Sequence, residues 1–599
     1  MPRRGGPGWP VALALLGVLV WARIFTTWFV QDDFTWMLRA QGHAPLAARR
    51  FLSMRLCFGA LLDLFGPRPA PFHAATLAFH LTTGLLIHRI LAGRLGAGVA
   101  VAAAAMFLAS PALFDALHWI SDLSDPMCGA FLAAAVWLLS EHGGRGRAWL
   151  AVGAYALALG SKEIAVGALP VLVLLQARSG GRTAWLRATL CVALAGLATA
   201  LMAVAGQMAA GEAYGLAPAA ALRNLPGYAA AGVLAGTAFS SASDLAWARQ
   251  AWVQAAGWGI LAAWLFALIA RRSGPAWLGF LWFVGLLAPV LMFERQFYLY
   301  YLYCALPGLL ASAAFLVGGG SRRLAGRAVR VGVALIIAQA AAIEARSGSR
   351  LRTVPLPTDF VIRRAGIARN AVGDLKPHAA ALRPRVVLLG QQPVEASSRG
   401  SRTTSAIEYV RDPWLDENVG AALSDGEAVR VMFPRVREAE FKPWLEDRDT
   451  ASTVAAYRYD GHLEVSDYAP FMGVRDLDAP ASRAEHMERA SRFIGRRLFL
   501  EALRELLAAR DLAPDDPDVL LNLGALQAHM GDSTAAAVSL SRAVQVAPGD
   551  MESLYNLGLL QWRLGRPADA RATWAPLLRG APGSDLAESV RALLEGRAR

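Results

Sequence analysis

Lysine is almost missing from this 599-residue chain: only Lys162, Lys376 and Lys442 occur, and the net charge of +13 is carried by arginine. Such a charge raises nucleic acid as a partner. Many of the arginines, however, sit in short segments between apolar runs, where they read as a membrane-topology signal, so no nucleic acid is implied. Cysteine is scarce as well. Cys57, Cys128, Cys191 and Cys304 lie in or beside apolar runs at no metal-ligand spacing, and none follows Cys304. That excludes a disulfide framework and a cysteine zinc site. Charged residues make up 18% against 55% hydrophobic, a balance that excludes an ordinary soluble enzyme. No phosphate-cradling Walker loop is present, and Gly318-Gly319-Gly320 reads as a linker.

Long apolar runs are what the chain has instead, nearly all before about Ala345. They cover roughly 11–30, 72–92, 97–110, 126–140, 148–160, 163–177, 186–206, 250–270, 275–293, 298–318 and 326–345. The expected fold is an α-helical polytopic membrane protein of about eleven transmembrane helices, several shorter than the ~20 residues of an upright span. Bulky Trp21, Phe25 and Trp28 leave no small-residue cleavage site after the first run, so it reads as an uncleaved signal anchor. One set of loops carries Arg3, Arg4, Arg89, Arg94, Arg145, Arg147, Arg178, Arg182, Arg187, Arg271, Arg272, Arg322, Arg323, Arg327 and Arg330. The short loops of the other set have almost none. The positive-inside rule then puts the N-terminus in the cytoplasm, and everything after Ala345 outside, in a cytoplasmic (inner) membrane. The apolar stretch 225–240 would invert Arg271-Arg272 if it crossed, so it is taken as re-entrant or interfacial.

This orientation gathers charge on the outer face. Asp32-Asp33-Phe34 follows the first run. The segment Ser110–Asp125 holds Asp115, Asp122 and Asp125, and Lys162-Glu163 and Glu294-Arg295 interrupt later runs. Adjacent carboxylates at a membrane surface suit metal binding, or a base and its orienting partner. A cation beside interfacial tyrosines, Arg295 before Tyr298, suits a lipid phosphate. Each signal has a plainer reading. Acids at helix ends are most often solvated caps, tyrosines form aromatic belts, Lys162-Glu163 can neutralise itself, and His73 and His80 fit packed histidines on one helical face.

Taken together, these residues resemble the GT-C-fold membrane glycosyltransferases, in particular the protein O-mannosyltransferase-like group with tetratricopeptide tails. Asp32-Asp33 is similar to its acidic motif. Pro71-Phe72-His73 with His80 resembles its second-helix pattern, and Ser110–Asp125 a stretch with an acid at position 115 and Trp119-Ile120-Ser121. Ser161-Lys162-Glu163 with Pro170 resembles a further motif, and Arg295 with its tyrosines another. Ser110 and Leu113 replace the group's histidines, and Asp122-Leu123 its Gly-Arg. The resemblance covers most of 11–320. It implies inverting transfer of a sugar from a polyprenyl phosphate to a protein or glycan acceptor, in the membrane. It further implies Asp33 or Asp32 as base with Asp115 beside it, and Arg295 and Lys162 on the leaving phosphate. Glu163, Asp125, His80 and Tyr298 take supporting places. A divalent ion, Mg or Mn, on Asp33 and Asp115 stays open, and no other cofactor is implied.

Residues 346–483 read as a small extracytoplasmic α/β region, with short strands at Arg385–Leu389, Ala428–Met432 and Thr453–Gly461, and a loop at Ser397–Ser401. The end repeats at a spacing of 34: Asn522-Leu523-Gly524 with Asn556-Leu557-Gly558, Gly531 with Gly565, Ala536 with Ala570, Pro548 with Pro582. That period predicts a tetratricopeptide α-solenoid over 484–599, a surface for a protein partner or acceptor. Two other readings stand beside the transferase: a non-catalytic envelope scaffold recruiting through its repeats, and a polysaccharide polymerase or ligase.

Overall fold

The computed structural model describes residues 8–43, 50–140, 145–178, 180–204, 215–240, 243–318, 322–350, 357–389, 413–442, 452–457, 462–467, 482–495 and 499–595. The chain divides into two compact units, Met1–Gly366 and Ile367–Arg599.

In the first unit the helices are α1 Gly8–Trp21, α2 Asp32–Ala40, α3 Gly59–Phe65, α4 Pro69–Ala92, α5 Ala97–Leu108, α6 Phe114–His118, α7 Ser124–Ser140, α8 Arg145–Ser161 and α9 Leu169–Ala177. They continue as α10 Gly181–Val204, α11 Ala221–Leu234, α12 Asp244–Ala248, α13 Ala251–Arg271, α14 Gly274–Leu291, α15 Leu302–Gly318 and α16 Arg322–Gly348, and α17 Phe360–Leu375 begins in this unit and ends in the second. Among the described residues, nine helical stretches are long and apolar enough to cross a membrane. They account for nine of the eleven expected runs. The other two are α8, with 17 residues, and the short apolar stretch Glu163–Ala177. The 225–240 stretch forms α11, 14 residues broken by Pro226 and followed by a 3-10 turn, too short to span upright. Arg3, Arg4 and the loop at Ser397–Ser401 lie outside the described residues.

Burial sorts these helices. The windows in 97–118, 120–140 and 299–318 are 67%, 61% and 56% buried, whereas those in 8–26 and 326–348 are 22% and 17% buried. The first three form the interior. The others turn side chains such as Leu19 and Ile337 outward, which only lipid makes favourable. Close packing needs small residues because lipid supplies no hydrophobic drive between helices. Gly167, in the 3-10 turn ahead of α9, meets Gly285 of α14 so closely that a Cβ there would lie 2.6 Å from the Gly285 carbonyl carbon.

Followed along the chain, one set of helix ends carries Arg89, Arg94, Arg145, Arg147, Arg178, Arg182, Arg271 and Arg272. The alternate ends carry Asp32, Asp115–Asp125, Lys162, Asp244 and Glu294. Some arginines also reach the acidic ends: Arg23, Arg50 and Arg223 pair there with Glu344, Glu163 and Glu294, and α16, which begins in arginines, delivers Arg346.

In the second unit, β1 Arg385–Leu389 pairs in parallel with β2 Glu438–Lys442 and β3 Thr453–Tyr457, and β3 pairs antiparallel with β4 Leu463–Asp467, giving the order β2-β1-β3-β4. Helices α18 Pro413–Ala422 and α19 Glu427–Met432 lie between β1 and β2 in sequence. The strand expected at Ala428–Met432 is therefore a helix. Ser424 sits three residues before Glu427 and its hydroxyl bonds the Glu427 carboxylate at 2.9 Å. The helix is opened by Gly426, in the left-handed region at φ +107°, and the short alternation of Val429 and Val431 does not distinguish a strand from a helix turn.

Helices α20 Arg483–Gly495, α21 Phe499–Leu512, α22 Pro517–His529, α23 Ser533–Val546, α24 Met551–Arg563, α25 Pro567–Gly580 and α26 Asp585–Leu594 follow. The 34-residue period is written into their contacts. Asn522 donates to the Asp518 carbonyl at 2.7 Å and Asn556 to that of Glu552 at 3.0 Å. Ser539 bonds Gln527 at 2.7 Å, and Thr573 bonds Gln561 at 2.7 Å. Gly531 and Gly565 both end their helices at positive φ, +86° and +74°. Ala536 and Ala570 are fully buried at the equivalent crossing.

Candidate functional site

The site is built around the segment joining α5 to α7. It runs as a 3-10 turn at Pro111–Leu113, α6, an extended Trp119, a second 3-10 turn at Ile120–Leu123, and the first turn of α7. Pro111 and the repeated breaks stop α5 from continuing as one helix, so the three acids face different neighbours. All of 111–118 is buried, with no single residue facing solvent.

Asp33 holds this segment to the first span. Gln31, a non-glycine residue at φ +52°, turns the chain into α2. Asp33 Oδ2 then accepts the Val30 N–H at 2.8 Å, and Oδ1 accepts the Ser121 N–H at 2.6 Å. Burial pushes its pKa well above the ordinary carboxylate range, against these hydrogen bonds and with help from the neighbouring Asp32 charge. Asp32, one residue earlier, is exposed. The pair expected to share one task is thus split: one carboxylate fastens backbone and the other faces outward.

Two buried charge groups flank the segment. In one, Asp125 and Lys162 are ion-paired, with Asp122 Oδ1 at 3.9 Å from the same ammonium. The Lys162 ammonium also lies over the rings of Tyr300 and Tyr301, at 5.2 and 5.9 Å from their centroids. Burial pulls the Lys162 pKa down, but Asp125 and Asp122 more than offset it and the net direction is up. Beside it, Arg50 grips Glu163 through two hydrogen bonds of 2.7 and 3.0 Å. Lys162 and Glu163 are consecutive, at the extended break that ends α8. The sequential Lys162-Glu163 pair does not neutralise itself; each residue takes a partner from a distant segment.

In the other group Arg346 bridges Asp115 at 2.6 Å and Asp359 at 2.7 Å, its guanidinium 4.1 Å above the Phe114 ring centroid. Asp359 also caps α17 through the Ile362 N–H at 3.0 Å. Asp244, whose carboxylate accepts the Leu299 N–H at 2.9 Å, belongs to the same field; burial raises its pKa, Arg346 opposing. Asp115, Asp122 and Asp125 each keep one carboxylate oxygen buried without a hydrogen-bond partner. Buried acceptors of that kind are rare in native structures and call for a water or ligand donor.

The remaining expected residues are placed as follows. Tyr298 stacks on Tyr300 at 5.1 Å, within the ring cluster that Lys162 meets. His80 bonds the Tyr303 hydroxyl at 2.9 Å and the Leu108 carbonyl at 3.3 Å, and His73 the Thr27 carbonyl at 3.0 Å, so both are packed histidines. Arg295 is exposed on the stretch where Phe293 pairs with Leu216, its stem beside Gly215. Asp33 and Asp115 are engaged by different partners, Ser121 and Arg346, and do not form a shared pair for a divalent ion. Among the described residues no three His, Cys, Asp or Glu side chains converge as metal ligands.

The sequence reading passed over Arg50, Arg346, Asp359 and Asp244. Arg346 had a visible signal: it is an arginine at the acidic end of a span, against the charge rule that placed its neighbours. Asp244 and Asp359 stand at helix starts, where an acid is most often a cap and gives no further signal.

Below the Arg50–Glu163 pair a cavity of about 210 Å³ opens between α8 and α10, walled by Leu159, Leu194, Leu197 and Leu201. Its polar end is Arg50 and Glu163, and its other lining side chains are apolar.

No family model and no curated protein matches the chain. Among solved structures, ArnT from Cupriavidus metallidurans bound to undecaprenyl phosphate is similar at 14% identity and a TM-score of 0.46, over 79% of this chain and 95% of that one. The apo state of the same protein is similar at 13% identity and a TM-score of 0.44, over 78% and 95%.

Proposed function

We propose that the first unit is an inverting, GT-C-type glycosyltransferase that moves a sugar from a polyprenyl phosphate to a hydroxyl of a protein or glycan, on the membrane face opposite the arginine-rich loops. The observation that carries the reading is the arrangement around Lys162. A buried acid–base group, whose Asp122 feels the charge of the exposed Asp32, continues through Glu163 to a leucine-walled cavity headed by Arg50, which is what a phosphate on an apolar chain requires. ArnT, in the structure cited above, binds undecaprenyl phosphate.

In this mechanism Asp32 is the base, because it is the exposed member of its pair. It takes the acceptor hydroxyl proton as that oxygen attacks the anomeric carbon. The bond from that carbon to the phosphate oxygen breaks, its electrons go to the phosphate, and the sugar inverts. Arg50 and Lys162 stabilise charge as it grows on the leaving phosphate. Asp33 fixes the height of Asp32 over the segment, and Arg346 pins the segment through Asp115. No step is routed through a metal ion.

The repeat helices are read as a tetratricopeptide solenoid that presents the acceptor. Reconstitution of the whole chain with a polyprenyl-phosphate sugar tests the proposal. Transfer to an acceptor that D32N abolishes supports it; equal transfer by D32N, or none by wild type with any polyprenyl donor, sinks it and favours a scaffold.

A further inference from the structure

A second cavity, of about 130 Å³, lies in the first unit among α4, α7, α9, α14 and α15, at the arginine-rich helix ends. Arg94 and Arg178 stand at its mouth and are the only charged side chains among its described lining residues. Both are exposed. Arg94 already donates to the Ile90 and Ser140 carbonyls, which fixes its guanidinium at the ends of α4 and α7. Inward from that mouth the wall turns apolar, with Leu91, Val136, Leu175 and Phe315, and it reaches Gly129 and Cys304.

The depth is telling. Gly129 to Ser140 on α7, and Cys304 to Phe315 on α15, are each eleven residues apart, or about 16 Å of helix. That is about half of a ~30 Å hydrocarbon core, the depth of one leaflet. Its mouth is on the side opposite Asp32, Asp115 and Lys162, so it is not the donor cavity beneath Arg50.

We propose that this groove binds an anionic phospholipid from the leaflet on the arginine-rich side, with one acyl chain between α7 and α15 and its phosphate on Arg94 and Arg178. Two cations and no carboxylate among the described lining residues select a headgroup with net negative charge. Basic pockets between spanning helices bind such lipids, each arginine favouring the anionic headgroup about fivefold over a zwitterionic one. The inner end of the groove touches Cys304, whose carbonyl accepts the Trp282 indole N–H at 2.8 Å and whose thiol is 3.8 Å from the Asp125 carbonyl oxygen. The lipid tail thus ends directly beneath the first turn of α7.

Native mass spectrometry of the full-length protein, titrated with dioleoyl phosphatidylglycerol or dioleoyl phosphatidylcholine, tests the proposal. The wild type is expected to retain phosphatidylglycerol at least about tenfold better. R94Q/R178Q should lose that preference while still binding either lipid weakly, and Val136→Trp should reduce both. Equal retention of the two lipids by the wild type, or an unchanged preference in R94Q/R178Q, overturns it. A photoactivatable phosphatidylglycerol on the wild-type protein gives a readout that needs no variant. Cross-links on α7 and α15 support the proposal, and cross-links confined to other helices refute it.

Discussion

Asp32 and Asp33 are neighbours in sequence and opposites in environment, and substitution should separate them. D32N removes an exposed proton acceptor, so sugar transfer is expected to fall by about 10²–10⁴-fold with the unfolding temperature unchanged. D33N replaces one acceptor oxygen by an amide that faces an N–H, leaving a buried donor unpaired at a cost of about 1–3 kcal/mol. Its activity should fall together with its unfolding temperature. Arg346 is the more severe case. R346Q strands the Asp115 and Asp359 carboxylates in the interior, and removing one partner of a buried pair costs about 3–5 kcal/mol. R346Q/D115N/D359N should recover part of that loss in thermal unfolding in detergent, because of the acids in the Arg346 field only Asp244 then keeps its charge. Asp32-Asp33 was legible in the sequence as a motif. Which of the two is locked was not, since the lock is the Ser121 N–H, 88 residues away.

At the scale of elements, the breaks matter as much as the helices. The turn ahead of α9 meets α14 backbone to backbone at Gly167 and Gly285, and G167A must push the two apart because the obstruction is main chain rather than a flexible side chain. A loss of about 1–3 kcal/mol is expected, read as a lower unfolding temperature. In the second unit Trp574 is fully buried against Gly558, a Cβ on which would lie 2.6 Å from the ring's Cδ1. W574A opens a cavity worth about 3–5 kcal/mol. Because each repeat touches only its neighbours, hydrogen exchange should quicken in α24 and α25 first. The 34-residue pattern located these helices in advance, since small residues at fixed spacing are a local property. The same reading made a strand of 428–432 because five residues of alternation cannot tell a strand from a short helix.

For the whole molecule, the crowding of arginine at alternate helix ends predicts sidedness. Single cysteines placed at Gln41 and at Gly93 should react with a membrane-impermeant maleimide from opposite sides of the membrane. Labelling of both from one side would contradict the alternation of helix ends. The nine long spans, α8 and the Glu163–Ala177 stretch together follow the eleven apolar runs, because the need to bury backbone polar groups in lipid is met within each helix.

The sequence determined by itself where the chain meets lipid, which ends carry positive charge, and where the repeats fall. Each follows from composition over a window of twenty to thirty-four residues. Only the tertiary structure decided the partners of the buried charges: Asp33 with Ser121, Lys162 with Asp125 and Asp122, Arg50 with Glu163, Arg346 with Asp115 and Asp359. The strength of an ion pair depends on distance and on the loss of water around it. Both are set by how helices far apart in the chain pack, and neither leaves a mark on local spacing.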